Sequence, residues 1–364
     1  MNNIIEYKDI YAFHPGCYLQ DIIEEMEITQ EEFAVRLGTS AKTVSKIVNG
    51  EANLSKDIAL KLSNMLGTSV DLWLNLQSTY DKKLLEIQNT KSIDEEKAIL
   101  DYIDYSYFVN LGIVEKTRDS KEKIINLRNY LIISNLKVLL KSEFLVNYRT
   151  ATSTVSEKNI INSKVWLQTA INFGKKIRVN DFDAKKLEKY VPEIRSMTIK
   201  SPEQFMPRLR EIFSDCGVTF VLLPYLKNSN INGAVTWINQ NKVILALNDR
   251  RNYADTFWFS LFHEIKHVLQ QKHKQLFISE INNDLSALDS RLEREADDFA
   301  SDVLISQQEY ETFLNQRNFS DKAIKDYATK IGIHPGILLG RLQHDRKVSM
   351  KRGKALKEKY KIIV

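Results

Sequence analysis

The sequence predicts a mostly α-helical chain: an N-terminal domain of five helices, a helical connector, and a C-terminal α+β domain with a small antiparallel sheet. Three observations carry this expectation. Short capped amphipathic segments separated by turn signals fill residues 15–77. The β-rich runs 218–223, 234–238 and 243–247 come only after Cys216-Gly217, with Asn239-Gln240-Asn241 as a hairpin turn. The segments after them, 253–270 and 291–303, return to helical spacing with apolar stripes.

Bulk properties bound the answer. A chain of 364 residues exceeds one simple core. A hydrophobic share of 43% with 27% charged residues excludes wholesale disorder. No apolar run is long enough to cross a membrane, and residues 1–11, carrying Glu6 and Asp9, lack the apolar core of a signal peptide. A cytoplasmic protein without a membrane partner is expected. Cys17 and Cys216 stand far apart, outside any CxxC spacing, which excludes a disulfide framework or a cysteine zinc site. The net charge of +5 hides an asymmetry: residues 1–80 hold 6 Lys/Arg against 11 Asp/Glu, whereas 346–361 hold 8 Lys/Arg and only Glu358. That basic end is read as a solvated tail able to meet acidic partners or nucleic acid.

Residues 29–50 form the informative unit of the N-terminal part. Thr29 is an N-cap with Glu32 completing a capping box, and Phe33, Ala34 and Leu37 supply the buried face. Gly38 ends the helix, and Thr39 or Ser40 caps a second one over 41–48, with Val44, Ile47 and Val48 inward. Asn49-Gly50 closes it. Ala34 permits a close helix crossing and Gly38 a sharp turn, so the polar start of the second helix is free to enter a major groove. Gln30, Ser40, Lys42, Thr43, Ser45 and Lys46 are the candidate DNA contacts, the lysines to phosphates and some of the others to base edges.

The spacing Gln30-xxx-Ala34-xxx-Gly38 followed by Val44 and Ile47 resembles the helix-turn-helix of phage-repressor (XRE) regulators. With His14-Pro15-Gly16 before it and Leu66-Gly67-Thr68 through Asp71-Leu72-Trp73-Leu74 after it, the match is similar to the HigA antitoxin branch. The resemblance implies a homodimer on a palindromic operator and a cognate toxin as partner. Residues 81–205 read as uneven helical patterns rich in aromatics, such as Tyr102, Tyr105, Tyr107 and Phe108, in which no chemistry is visible. The expected division is 1–80 helix-turn-helix domain, 81–205 connector, 206–345 C-terminal domain and 346–364 basic tail.

The chemistry lies in His263-Glu264-Ile265-Lys266-His267, an HExxH motif. On a helix, residues four apart share a face one turn up, so both histidines can hold one Zn2+ while Glu264 serves as general base. A third ligand is required, and three candidates stand open. His273 has the spacing of a metzincin, which needs glycine where this chain has Gln270. Glu293 lies on a second amphipathic helix buried through Leu292, Ala296, Phe299 and Val303, with Glu295 as the reserve on its opposite flank. Asp297, one turn from Glu293, can accept a hydrogen bond from the outer nitrogen of a ligating histidine. Small residues at Ala296 and Ala300 let this helix approach the first. A substrate peptide would pair with the edge of the 234–238 strand.

Phe257-Trp258-Phe259-Ser260-Leu261-Phe262 before the motif, the 293–300 block with Leu304-Ile305, and Ile331-Gly332-Ile333-His334-Pro335-Gly336 through Gly340-Arg341-Leu342-Gln343 look like the ImmA/IrrE metallopeptidases. That resemblance implies a zincin-like core and site-limited cleavage of a regulatory protein. Members carry a small residue where this chain has Lys266, and His334 is expected to be structural. Two functions follow: a DNA-binding regulator with a zinc endopeptidase domain, or a HigA-like antitoxin or repressor whose peptidase-like domain only senses or binds a partner.

Overall fold

Two four-residue strands, too short for their alternation to stand out in sequence, open the chain. β1 (Ile4–Tyr7) and β2 (Ile10–Phe13) pair antiparallel. Their inner face, with Ala12 buried and Ile5, Tyr7 and Ile10 half-buried, packs on Tyr80, Leu84 and Ile87. The computed structural model describes residues 3–141, 156–250, 253–272, 277–280 and 287–360, with backbone alone for 277–280 and 287–290. It divides into Met1–Lys97 and Ala98–Val364.

Five helices follow the hairpin: α1 (Pro15–Glu25), α2 (Gln30–Leu37), α3 (Ala41–Val48), α4 (Lys56–Leu66) and α5 (Val70–Leu100). Their local chemistry sets their ends. His14 caps α1 by accepting from the Gly16 amide at 2.9 Å, and Pro15 occupies the first turn where no amide donor is needed. A Cβ on Gly16 would stand 2.0 Å from the Ile47 carbonyl, so glycine permits the close approach of α1 to α3. Thr29 accepts from the Glu32 amide at 3.1 Å, but the Glu32 carboxylate pairs with Arg36 instead of closing the expected capping box. An arginine one turn on offers a charged partner that outcompetes a neutral amide. Gly38 adopts φ 67°, the left-handed conformation that ends α2. Phe33, Ala34, Leu37, Val44, Ile47 and Val48 are all buried, as the spacing predicts.

The second unit begins with α6 (Tyr105–Asn110), α7 (Ser120–Leu131), α8 (Glu157–Lys176), α9 (Ala184–Ser196) and α10 (Pro202–Asp215). Strands β3 (Val218–Leu223), β4 (Ile231–Asn239) and β5 (Lys242–Asn248) come next, then α11 (Ala254–Leu269) and β6 (Phe277–Glu280). The chain ends in α12 (Ala287–Leu304), α13 (Gln307–Asn315), α14 (Asp321–Ile331) and α15 (Pro335–His344). The architecture is mostly helical with small sheets, as expected. The sheet order is β3-β5-β4-β6. Unlike the antiparallel sheet expected, it is mixed: β4 and β5 form the hairpin through Gln240-Asn241, but β5 lies parallel to β3. The chain from β3 passes over one strand position before entering β4, which leaves β5 to fill the gap.

Both faces of this sheet are covered. Val218, Phe220, Leu222, Val243, Leu245 and Leu247 join the core containing α11, whereas Gly174 of α8 lies so near Ile244 that a Cβ would meet its Cδ1 at 2.6 Å. Burial on two faces explains the unbroken apolar runs in β3 and β5. Residues 98–205, including α8, thus fall in the same compact unit as the sheet. Strand β4 has β5 on one side and, over Ile231–Val235, β6 on the other, so Ala234 and Val235 are not an edge available to a substrate.

Residues 357–360 lie against α11. The Ala254 amide donates to the Glu358 carbonyl at 2.9 Å, Lys357 meets Asp255 at 2.9 Å, and the Trp258 indole donates to the buried Tyr360 hydroxyl at 2.8 Å. Charge alone suggested a solvated tail; the apolar ring of Tyr360 ties the described part of it down.

Candidate metal centre

Helix α11 runs beneath the sheet and presents His263 and His267 on one face, one turn apart, with α12 lying alongside it. Ala296 and Ala300 are fully buried, which lets the two backbones come close. The carboxylate of Glu293 then reaches both rings: Oε2 lies 3.2 Å from His263 Nε2 and Oε1 lies 3.3 Å from His267 Nε2, while the two Nε2 atoms are 2.9 Å apart. Among the described residues these three form the one group of ligand-bearing side chains suited to a metal ion. Tetrahedral zinc with ligands at about 2.0–2.1 Å separates its donors by roughly 3.3 Å. The donor set and spacing fit zinc.

Electrostatics point the same way. Burial works against charge on His263, but hydrogen bonds to Asp297 and Glu293 and the nearby charge of Glu264 outweigh it and raise its pKa to about 10. Burial favours the neutral acid at Glu293, yet its contacts with His263 and His267 lower its pKa to about 2. Both shifts express one fact: a carboxylate and two imidazole rings converge in a buried place, each stabilising the opposite charge on its neighbour.

The residues around this group are also placed. Asp297 Oδ1 stands 2.9 Å from His263 Nδ1, and Gln270 Oε1 stands 2.9 Å from His267 Nδ1. Glu264 is fully buried, and Gly233 of β4 makes room for it. At 3.6 residues per turn, Glu264 and Lys266 fall on opposite flanks of the histidine pair. Lys266 Nζ lies 5.5 Å over the Phe299 ring, an amphipathic side chain using apolar surface. Glu295 pairs with Arg291 at 2.9 Å and does not join the histidines. His273 lies outside the described residues. His334 caps α15 by accepting from the Gly336 amide at 3.0 Å and contacts Glu358 at 3.1 Å. Gln270 and Gly233 escaped the sequence reading. In sequence Gln270 marks only the position where a metzincin carries glycine, and nothing in a strand glycine announces a carboxylate across from it.

In the N-terminal unit, Lys42 and Lys46 are exposed on α3, with Thr43 and Ser45 half-exposed beside them. Ser40 caps α3 through the Thr43 amide at 3.1 Å, and its hydroxyl meets that of Thr43 at 2.8 Å. Ser45 Oγ accepts from Asn49 at 3.3 Å, and Gln30 is the first residue of α2.

These two constructions correspond to known families. Residues 19–73 match the helix-turn-helix family model, and residues 217–343 match the peptidase-family model described as the IrrE N-terminal-like domain. The chain belongs to the helix-turn-helix regulators through its N-terminal part and carries an IrrE-like domain at its C-terminal end. The HTH-type transcriptional regulator YddM of Escherichia coli K12 is 30% identical over 86 residues, 24% of this chain and 89% of that protein. Antitoxin HigA-1 of Vibrio cholerae is 36% identical over 61 residues, 17% of this chain and 57% of that protein. Among solved structures, PA4674 of Pseudomonas aeruginosa in complex with its operator DNA is 36% identical, covering 23% of this chain and 90% of that one, with a TM-score of 0.22.

Proposed function

We propose that this protein is a cytoplasmic, DNA-binding regulator whose IrrE-like domain is a zinc-dependent endopeptidase acting on a regulatory protein. The functional division proposed with it is 1–80 for DNA, 81–205 as the helices that join it to the sheet and cover one face of that sheet, 206–345 for peptide hydrolysis and 346–364 as the basic end. The single observation that carries the enzymatic part is the convergence of His263, His267 and Glu293 beside the buried carboxylate of Glu264.

His263, His267 and Glu293 would hold the zinc ion, leaving a coordination position open as catalytic sites require. Zinc in such a site supplies Lewis acidity, polarising a carbonyl and making water acidic enough to ionise near neutral pH. Glu264 takes the proton of the attacking water on its carboxylate and passes it to the leaving amine. Asp297 orients His263, and the wall formed by β4 excludes bulk water from Glu264. Lys266, occupied with Phe299, leaves this arrangement intact.

For the N-terminal unit, α3 is the proposed recognition helix, with Lys42 and Lys46 on phosphates and Gln30, Ser40, Thr43 and Ser45 as the other contacts. Support comes from the helix-turn-helix match and from the similarity to an HTH-type transcriptional regulator covered over most of its length. A homodimer on a palindromic site completes this reading.

The test is metal analysis of the purified protein beside Glu264→Gln, with both incubated with products of neighbouring genes. Stoichiometric zinc in both and cleavage by wild type alone are expected. Absence of zinc sinks the enzymatic reading. The similarity to antitoxin HigA-1 favours a second reading, a repressor or antitoxin holding a cognate toxin through a non-catalytic domain. Zinc in both proteins with identical behaviour in every cleavage and repression assay would select it.

A further inference from the structure

We infer that Gln270 is a positioning residue: it fixes His267 as the tautomer protonated at Nδ1 and ties the helix bearing both histidines to the helix bearing Glu293. The inference rests on the metal-centre reading for its purpose, but its geometry stands alone.

The carboxamide of Gln270 has three partners. Its Nε2 lies 3.0 Å from the Leu292 carbonyl and 3.5 Å from Glu295 Oε2; its Oε1 lies 2.9 Å from His267 Nδ1. A backbone carbonyl and a carboxylate can only accept, so the nitrogen of the amide must be the group facing them. The oxygen is thereby left for His267. An amide oxygen also only accepts, and His267 Nδ1 must therefore carry the hydrogen. A neutral ring protonated there has its lone pair on Nε2, the atom 3.3 Å from Glu293 Oε1.

The same amide couples two elements. Gln270 follows directly on α11, and Leu292 immediately precedes Glu293 on α12. A hydrogen bond from one to the other fixes where the ligand carboxylate stands relative to the histidines. His263 obtains its orientation differently, from a carboxylate, Asp297, at 2.9 Å. The two rings are thus held by different chemistry, and only the amide has a donor left over for the facing backbone.

The experiment compares wild type, Gln270→Leu and Gln270→Glu. Zn2+ affinity is measured by competition with a chromophoric chelator, and the tautomer of His267 is read from imidazole 15N shifts in metal-free protein at mildly alkaline pH. In wild type the Nδ1–H form is expected. Gln270→Leu should shift His267 toward the Nε2–H form and weaken zinc binding by about 10–100-fold, the usual cost of losing an outer partner of a ligand. Gln270→Glu keeps an acceptor for Nδ1–H, so it should retain the tautomer and bind zinc more tightly than Gln270→Leu. Circular dichroism shows whether each variant is folded. An Nε2–H tautomer in wild type overturns the inference whether or not the variants fold, as does wild-type affinity in folded Gln270→Leu. Wild type with the Nδ1–H tautomer but no zinc affinity would leave the inference standing and remove the metal reading instead.

Discussion

Gly233 on β4 and Glu264 on α11 face each other so closely that a Cβ on Gly233 would stand 2.4 Å from Glu264 Oε1. The sheet therefore admits the buried carboxylate only because one strand position carries no side chain. Gly233→Ala should displace Glu264 while leaving the histidines in place. Zinc content is expected to persist and peptide hydrolysis to fall by about 100-fold or more, the lower range of what a general base contributes. Unfolding measurements should show a cost of about 1–3 kcal/mol from overpacking. Unchanged turnover would remove Glu264 from its proposed role.

Asp297 and Glu295 lie on the same helix but have different partners, His263 and Arg291. Asp297→Ala is expected to weaken zinc binding by about 10–100-fold. Glu295→Ala should leave it far closer to wild type, and chelator competition separates the two. Equal losses would show that Glu295 supports the metal group as strongly as Asp297 does, contrary to its pairing with Arg291.

Asp94 holds the N-terminal hairpin to α5: Tyr7 donates to it at 2.8 Å, and Lys8 and Lys97 pair with it. Hydrogen bonds from Lys8, Lys97 and Tyr7 hold its carboxyl well below the ordinary carboxylate range. A depressed folded-state pKa stabilises the fold above the unfolded value, near 3.9, and the contribution disappears as pH falls through the depressed one. The Tm difference between wild type and Asp94→Asn should be largest above about pH 5 and shrink below about pH 4. A difference that grows on acidification contradicts this.

Lys42 and Lys46 are exposed on α3. If both meet phosphates, Lys42→Ala and Lys46→Ala should each weaken operator binding and reduce the slope of log K against log salt by about 0.9. Fluorescence anisotropy titrations across a salt series provide the check. Unchanged slopes in both would place the DNA surface elsewhere.

Tyr360 is buried, and its hydroxyl accepts from Trp258 Nε1 at 2.8 Å. Tyr360→Phe keeps the ring but leaves that donor unpaired, so it should destabilise the chain by about 1–3 kcal/mol. Denaturant unfolding measures the effect. A neutral result would mean that the segment after α15 contributes little to holding the start of α11.

Caps, periodicity and motif spacing made much of this protein readable from its sequence. Thr29, Gly38 and Ser40 determine the boundaries of α2 and α3 through interactions within a few residues, which is why those ends could be anticipated. The spacing of His263 and His267 likewise follows from helix geometry alone. Other features depend on groups far apart in the chain. The parallel pairing of β3 with β5, the covering of the sheet by α8, the return of Tyr360 to Trp258, and the meeting of Gly233 with Glu264 are decided by packing, where each element must bury apolar surface and satisfy polar groups against whatever the fold brings near. The sequence by itself determined the capped ends of α2 and α3 and the one-turn spacing of His263 and His267 with Glu264 beside them, and it left the third ligand open among Glu293, Glu295 and His273. Only the tertiary structure decided that the Glu293 carboxylate, delivered by the close approach of α12 to α11, stands with the two histidines, because convergence of three acceptor groups is a property of two packed helices and of neither one alone.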